Sequence, residues 1–170
     1  VTGFRVAPGG VAELYGLKPD IVTYGKALGQ GFPIAAIAGP NHIMESIEYG
    51  KVLHYGSHNA PRLGLFATKT MLEEMSRDNY AGYKKISEIG DQMAKRLNQV
   101  AADTGQNMRV QNIGSMFHPV FTDLDEITNY REFCEAVNLT KYADFSQKMR
   151  GQGVFFSGNK ILHNLSCTEH

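Results

Sequence analysis

The sequence predicts a mixed α/β chain, and three observations carry this prediction. Two short apolar runs, 20–24 and 34–38, flank a glycine-rich segment, which is typical of strands joined by a tight connection. A long amphipathic segment at about 80–102 predicts a helix. Two further apolar runs, 108–113 and 116–122, have only Gly-Ser between them and predict a second group of strands. Strands and helices therefore alternate along the chain.

The composition is that of an ordinary soluble globular protein. Hydrophobic residues make up 42% and charged residues 20% of the 170 residues, which suffices for one domain or the adjoining parts of two. The 17 basic and 17 acidic residues are intermixed and cancel, so nucleic acid and anionic membranes are not expected partners. Cys134 and Cys167 lack metal-binding or redox spacing, which indicates free thiols in a reducing compartment. Without a signal peptide or an apolar run long enough to span a bilayer, the expected location is cytoplasmic.

A single lysine stands at the end of the first predicted strand. Lys26 follows Asp20–Tyr24, which predicts a buried strand, and Gly29, Gly31 and Pro33 prevent a long helix after it. Burial between two strands would favour the neutral amine, which is the nucleophilic form that makes a Schiff base. Most lysines at strand ends are instead solvated, so the residues alone leave both interpretations open. A phosphate-binding Walker loop is excluded, because its lysine follows the glycines and precedes Ser or Thr.

The segments around this lysine are predicted from their glycines and prolines. Residues 1–19 are glycine-rich and predict a loop with a short helix. Pro40 opens a short helix and Gly50 ends it. Residues 51–59 are polar and predict a loop, after which Pro61 begins the next helix. The apolar side of the first of these helices consists of Ile43, Met44 and Ile47.

The long helix is predicted to end at Gly105, and its apolar stripe indicates core packing. The stripe consists of Ile86, Ile89, Met93, Leu97 and Val100. Apolar spacing and glycine stops predict the later elements, which are helices at about 127–136 and from Tyr142 to Met149, and strands at 154–156 and 161–163. The last third of the chain is therefore an α+β region.

Several short motifs occur in order along nearly the whole chain. They are Val1-Thr2-Gly3-Phe4-Arg5-Val6, Gly9-Gly10, Tyr15-Gly16, Lys18-Pro19-Asp20, Gly25-Lys26 with Gly31-Phe32-Pro33, Ile113-Gly114-Ser115-Met116-Phe117, Phe121-Thr122-Asp123 and Gly153-Val154-Phe155. Together they resemble the class III aminotransferases, and within that family the glutamate semialdehyde aminomutase branch. Ordered motifs at family spacing are more specific than one lysine.

The resemblance implies the pyridoxal-phosphate (PLP)-dependent transferase fold type I. The chain would supply part of the large mixed-sheet domain and part of the α+β small C-terminal domain. On this basis, residues 1–79 are assigned to the C-terminal part of the PLP-binding large domain. Residues 80–104 are assigned to a bridging helix and residues 105–170 to an incomplete small domain.

The same resemblance implies a site and a cofactor. Lys26 would be catalytic and would hold pyridoxal 5′-phosphate as a Schiff base. Gly56 and Ser57 match a Gly-Thr pair whose hydroxyl binds the cofactor phosphate of the neighbouring subunit, which implies a homodimer with its active site at the interface. The segment His58–Pro61 departs from the family pattern and is one residue shorter, so the path of this loop is not given by the resemblance.

Other groups of the family's site would lie outside this sequence. The carboxylate that pairs with the pyridine nitrogen would precede Val1, as would the stacking aromatic and the substrate carboxylate binder. The chain is therefore expected to be an internal piece of a longer enzyme and inactive in isolation. Within residues 1–19 only Arg5 could bring charge towards the site, and an exposed structural arginine is the expected role.

The resulting prediction is an aminotransferase that moves an amino group between an amine or amino acid and a carbonyl acceptor. Two alternatives stay open, namely glutamate-1-semialdehyde aminomutase and a non-catalytic structural fragment. The altered loop and the lack of a match for an acidic gating residue near 156–160 favour the aminotransferase. No metal site is predicted, because His54 and His58 flank Gly56 in a polar loop, and no serine-hydrolase elbow is present.

Overall fold

A computed structural model describes residues 3–48, 50–156 and 163–164, the last two by their backbone. The chain divides into two compact units, Val1–Lys84 and Lys85–His170. The predicted domain boundaries at 79 and 104 remain predictions of how the chain is shared between the family's domains.

The first unit contains a short hairpin and several helices. Its elements are a 3-10 helix (Gly3–Arg5), α1 (Gly10–Leu14), β1 (Val22–Tyr24), a 3-10 turn (Lys26–Leu28), β2 (Ala36–Ala38), α2 (Asn41–Glu48), α3 (Arg62–Met75) and the beginning of α4 (Arg77–Asp103). β1 and β2 pair antiparallel, with Val22 opposite Ala38 and Tyr24 opposite Ala36. The predicted strands therefore exist but are shorter than the apolar runs that indicated them.

The prediction that these two strands are buried is wrong within this chain. Thr23 of β1 and all of Ala36–Ala38 are exposed, and Val22 and Tyr24 are half-buried. The physical reason is that β1 and β2 form a sheet of only two strands among the described residues. The small core of this unit is formed by Phe4, Leu28 and Met71, and from the sheet Tyr24 packs against it.

The second unit is built around a three-stranded antiparallel sheet. Its elements are most of α4, β3 (Met108–Ile113), β4 (Met116–Phe121), α5 (Tyr130–Ala136), α6 (Leu139–Gly151) and β5 (His163–Asn164), with the sheet order β3-β4-β5. Its core is formed by Ala94, Ala101, Met108, Val110, Phe117, Phe121, Tyr142 and Phe156. The β3–β4 hairpin turns on Gly114 and Ser115, as the sequence predicts, and Gly114 has a φ of +56° that suits a tight hairpin.

The two ends of helix α4 have different backbone conformations. Asp78, Asn79 and Tyr80 lie in the left-handed region, with φ between 49° and 62°, so the regular right-handed helix starts after Tyr80. At the other end Gly105 (φ +64°) donates its N–H to Ala102, and Gln106 donates to Ala101, which is a Schellman ending. Both ends agree with the predicted helix.

The apolar stripe of α4 is only partly the predicted one. Val100 is exposed, whereas the small residues Gly90, Ala94 and Ala101 are the ones that are buried. A Cβ at Gly90 would lie 2.0 Å from the carbonyl oxygen of Gly114, so the helix backbone rests directly on the hairpin turn. Small residues were overlooked because the prediction counted large aliphatic side chains only.

Two predicted boundaries near the C-terminal end need correction. α5 starts at Tyr130 rather than at 127, because the Asn129 side chain accepts the N–H of Glu132 and caps the helix. Residues 154–156 are not a strand. The N–H of Val154 closes the end of α6 on Met149, and Phe156 then enters the core, its carbonyl accepting the hydroxyl of Ser146.

The last predicted strand, 161–163, lies partly outside the described residues. Its described residue, His163, pairs with Phe117 of β4 as part of β5. Among the described helices none is both long enough and apolar enough to span a bilayer.

Candidate active site

The predicted lysine sits on a short, tightly closed turn. Gly25 is extended, Lys26 has a φ of +54°, and the N–H groups of Leu28 and Gly29 bond back to Gly25 and Lys26 at 3.3 and 3.0 Å. A left-handed conformation costs a residue with a side chain about 1–2 kcal/mol, so its neighbours must hold it in place. Backbone strain of this kind is concentrated at functional sites.

Lys26 is exposed in the structure. Of the two interpretations that the sequence leaves open, a buried and a solvated lysine, the described residues agree with the solvated one. Within the described residues its amine forms no hydrogen bond and no ion pair. An amine in this state is accessible to a carbonyl compound, and any desolvation must come from groups other than those described.

Glycine at position 29 is required by close packing. A Cβ there would approach the carbonyl oxygen of Phe32 to 2.4 Å and the side chain of Ile34 to 2.7 Å. The N–H of Phe32 also donates to the carbonyl of Gly29 at 2.9 Å, so the chain folds back on itself directly after the lysine. This turn is what separates Lys26 from β2.

The Lys26 turn packs on one small apolar cluster. Leu28 is buried against Phe4 and Met71, and the Thr68 hydroxyl of α3 donates to the Leu28 carbonyl at 3.2 Å. Thr68 was not predicted as a site residue. Its sequence signal is weak, since a threonine on a helix side is usually only packed or solvated.

Arg5, predicted to be exposed and structural, is only half exposed. Its Nε atom is buried and has no hydrogen-bond partner among the described residues. A guanidinium nitrogen in that state is costly, which distinguishes Arg5 from the solvated arginine that the sequence indicated.

The predicted phosphate-binding residues lie in an exposed loop. Gly56 and Ser57 begin a turn that is closed by the Asn59 N–H donating to the Gly56 carbonyl at 3.0 Å. Ala60 follows with a φ of +49°, and Pro61 then leads into α3. The hydroxyl of Ser57 is thus presented on the surface of the first unit.

The groove beside the candidate site is lined by neither Lys26 nor Ser57. This groove of about 780 Å³ runs between the hairpin and the loop, lined by residues that include Ile34, Ile37, His54 and His58. Gly56 is not among its lining residues either. In the described part of the chain no three His, Cys, Asp or Glu side chains converge as a metal site would require.

Comparison with known proteins places the chain in a family. The model of the aminotransferase class-III family matches residues 2–165. The glutamate-1-semialdehyde 2,1-aminomutase of Akkermansia muciniphila is 31% identical over 171 residues, which cover 100% of this chain and 39% of that protein. The chain thus spans about two fifths of the length of the relatives that it matches.

Solved structures agree at the level of the fold. An omega-transaminase from Sphaerobacter thermophilus superposes with a TM-score of 0.83 at 22% identity, over 98% of this chain and 38% of its own. A glutamate-1-semialdehyde-aminomutase from Pseudomonas aeruginosa in complex with PMP superposes with a TM-score of 0.75 at 20% identity, over the same shares. The predicted fold type is confirmed, as part of a longer fold. With the family match over nearly all its residues, this chain belongs to the class-III aminotransferases.

Proposed function

We propose that the complete protein containing this chain is a pyridoxal-phosphate-dependent aminotransferase, with Lys26 as the residue that holds the cofactor covalently. The observation that carries the proposal is the exposed amine of Lys26 on a strained turn, within a family match over residues 2–165. The substrates would be an amine or amino acid as donor and a small carbonyl compound as acceptor.

The residues present fit such a cofactor. The amine of Lys26 is exposed and lacks a partner among the described residues, and Gly25 and Gly29 leave no side chain on either side of its short turn. When bound, pyridoxal phosphate supplies an electron sink for the carbanion chemistry of amino-group transfer. Lys26 then acts through Nζ, which can take a proton from the substrate carbon and return one. Because the backbone of the turn is fixed, it limits the positions that this nitrogen can adopt. Less conformational entropy then has to be lost when the nitrogen and the substrate carbon are brought together.

Ser57 is proposed to bind the cofactor phosphate of a neighbouring copy, so that the protein acts as a homodimer. Support comes from the stretch around it, where large apolar side chains are exposed. Leu53 and Tyr55 are 74% and 79% exposed, and Leu63 and Phe66, three residues apart on α3, are 73% and 69% exposed. Apolar surface of this extent on one short stretch favours burial in an assembly. A phosphate at Ser57 could then use both the hydroxyl and backbone N–H groups.

A second candidate function is intramolecular amino transfer by a glutamate-1-semialdehyde aminomutase. It is favoured by the curated relatives, whose names carry this activity at 31–37% identity. The two reactions differ in whether the amino group returns to the molecule from which it came. Single-turnover assays with glutamate 1-semialdehyde alone, compared with an amino donor plus a separate carbonyl acceptor, distinguish them.

We also propose that the 170 residues alone bind pyridoxal phosphate weakly and do not transaminate. The described residues offer an amine and an exposed hydroxyl, and no carboxylate among them forms an ion pair with Lys26. An accessible amine alone can react with an aldehyde, whereas transamination also needs the ring to be fixed. Steady amine transfer by the purified 170-residue chain would contradict this proposal.

The test of the main proposal is replacement of Lys26. In the complete protein, Lys26→Ala should abolish covalent attachment of pyridoxal phosphate, measured by borohydride reduction and peptide mass spectrometry, and should abolish amino transfer. Lys18→Ala is the matched control, because Lys18 is an exposed lysine in a loop of the same unit. Attachment retained in Lys26→Ala and lost in Lys18→Ala, or retained in both, would overturn the assignment.

A further inference from the structure

We propose that Tyr83 is a positioning residue for Lys26, acting through Phe4 on the turn that carries the lysine. The inference rests on the proposed function in one respect, which is that Lys26 is the residue whose position matters. The contacts on which it depends are independent of any cofactor.

The first contact joins Tyr83 to Phe4. The Tyr83 hydroxyl donates to the backbone carbonyl of Phe4 at 2.9 Å, across 79 residues of sequence. The side chains are 7% and 8% exposed, and their rings meet edge to face at 6.2 Å between centroids. The bond is therefore shielded from water, and without it the Phe4 carbonyl would lose its buried donor.

The second contact joins Phe4 to both sides of the lysine. The Phe4 ring packs edge to face on Tyr24, two residues before Lys26, with 5.9 Å between centroids. Phe4 also packs in one cluster with Leu28, two residues after Lys26. Because the Lys26 side chain itself is exposed, its direction is set by the backbone of this turn, and the turn rests on Phe4.

The start of α4 directs Tyr83 towards Phe4. Asp78, Asn79 and Tyr80 are left-handed, which reorients the chain between α3 and the regular part of α4. Three successive residues with side chains adopt this conformation only where other contacts stabilise it. Burial raises the pKa of Tyr83 to about 12, so its hydroxyl remains a protonated donor at any ordinary working pH.

The test compares two conservative variants of the complete protein, Tyr83→Phe and Tyr142→Phe. Tyr142 is similarly buried, at 5% exposure, but belongs to the core of the second unit. Each variant loses a buried hydroxyl and keeps its ring. In cofactor-free protein, amide hydrogen exchange of residues 25–29 should be about fivefold faster in Tyr83→Phe, as expected for loss of one net hydrogen bond. The same residues should exchange at the wild-type rate in Tyr142→Phe.

A second measurement uses pyridoxal phosphate itself. The visible circular-dichroism band per bound cofactor reports how firmly the group is oriented, and it should fall in Tyr83→Phe and not in Tyr142→Phe. If Tyr83→Phe does not fold, Phe4→Leu replaces it. That variant keeps the carbonyl that Tyr83 bonds and removes the ring, so it should loosen residues 25–29 in the same way.

The outcomes separate the two proposals. Unchanged exchange at residues 25–29 in Tyr83→Phe, or an equal change in both tyrosine variants, would overturn the positioning role. Retained covalent attachment in Lys26→Ala would instead overturn the proposed function. The exchange result in cofactor-free protein would then still stand as a statement about the turn.

Discussion

The two units of this chain differ in how much of their apolar surface they bury within themselves. The second unit covers its sheet with its own helices and has an extended core that includes Phe117, Phe121 and Tyr142. The first unit has a small cluster around Phe4, Leu28 and Met71, an exposed hairpin, and several exposed large apolar side chains. Strained backbone also occurs at Lys26 and Ala60 of the first unit. The unit that carries the candidate site is thus the one with the smaller buried apolar cluster among the described residues.

This difference is what the proposed function would require. A site at a subunit interface needs exposed groups that a partner or a ligand completes, and such groups cannot also be covered within the chain. A unit that only supports the site can instead bury its apolar side chains and pair its polar groups within itself. The comparison predicts that substitutions in the second unit act mainly on stability, and those in the first unit mainly on cofactor retention.

The largest expected effect is that of Gly90→Ala in the second unit. The new methyl group would meet the Gly114 carbonyl at 2.0 Å, and a backbone neighbour can yield only by moving the hairpin from the helix. We expect a loss of about 3 kcal/mol in the free energy of unfolding, measured by urea denaturation. Gly151→Ala is the control, because among the described residues no atom outside its own helix backbone and chain neighbours lies within 4 Å of a Cβ there, and it should be neutral or slightly stabilising. Equal effects of the two changes would mean that the helix does not rest on the turn.

The next effect concerns Ser57 and tests whether the first unit depends on a partner. Ser57→Ala should weaken pyridoxal-phosphate binding roughly ten- to hundredfold. This factor corresponds to the loss of one hydrogen bond to a charged group, which contributes about 1.5–3 kcal/mol. Stability should change little, because Ser57 is exposed. Ser76→Ala serves as a control, since the Ser76 hydroxyl donates to the carbonyl of Glu73 at the end of α3.

Mixing two variants sharpens the Ser57 prediction. A hybrid of a Lys26→Ala chain with a Ser57→Ala chain would contain one intact site, made from Lys26 of one copy and Ser57 of the other. Cofactor retention should therefore reappear on mixing, as measured by absorbance of the bound group after gel filtration. A lack of recovery, with hybrid formation verified by native mass spectrometry, would place both residues in the same subunit's site or remove Ser57 from it.

A smaller effect is expected at high pH, where the two units can be compared through their buried tyrosines. The pKa of Tyr83 is raised from 10.0 to about 12, so the neutral hydroxyl stabilises the folded state fully below pH 10. That contribution, on the order of 2 kcal/mol, is lost as the pH rises through about 12. Burial also raises the pKa of Tyr142. Tyr83→Phe and Tyr142→Phe should each flatten part of the decline in unfolding free energy between pH 10 and 12, and an unchanged slope in Tyr83→Phe would contradict its burial.

The smallest effect is expected at Ala60. Its φ of +49° is unfavourable for a residue with a Cβ, so Ala60→Gly should relieve backbone strain in the folded state. Glycine also gives the unfolded chain more conformational entropy, which offsets part of this gain, so the net stabilisation should be about 0.5 kcal/mol. The same substitution at Ala81, an exposed residue in the regular part of α4, should destabilise by up to about 1 kcal/mol. Thermal melts of both variants measure the difference. Destabilisation by both substitutions would show that Ala60 is not strained.

The sequence predicted more of the second unit than of the first. The strands 108–113 and 116–122, the start of regular helix after Tyr80 and the ending at Gly105 agree with the structure to within a residue or so. These features depend on local signals, namely apolar runs, a two-residue turn and a glycine that can adopt a left-handed conformation. The same signals fail at 154–156, where an apolar run is not a strand: Phe156 alone enters the core, and Val154 and Phe155 are exposed.

The family, the position of the Lys26 turn and the order of the elements can be predicted from the amino-acid sequence, because these depend on residues near one another along the chain. The three-dimensional contacts were needed to show that Lys26 is exposed, that Gly90 rests on Gly114, and that the Tyr83 hydroxyl donates to the Phe4 carbonyl. Each of these depends on which distant segments meet, and burial is a property of all the surrounding chain. A run of apolar residues indicates how much apolar surface the sequence contains, whereas the position of that run in the fold decides whether other residues cover it.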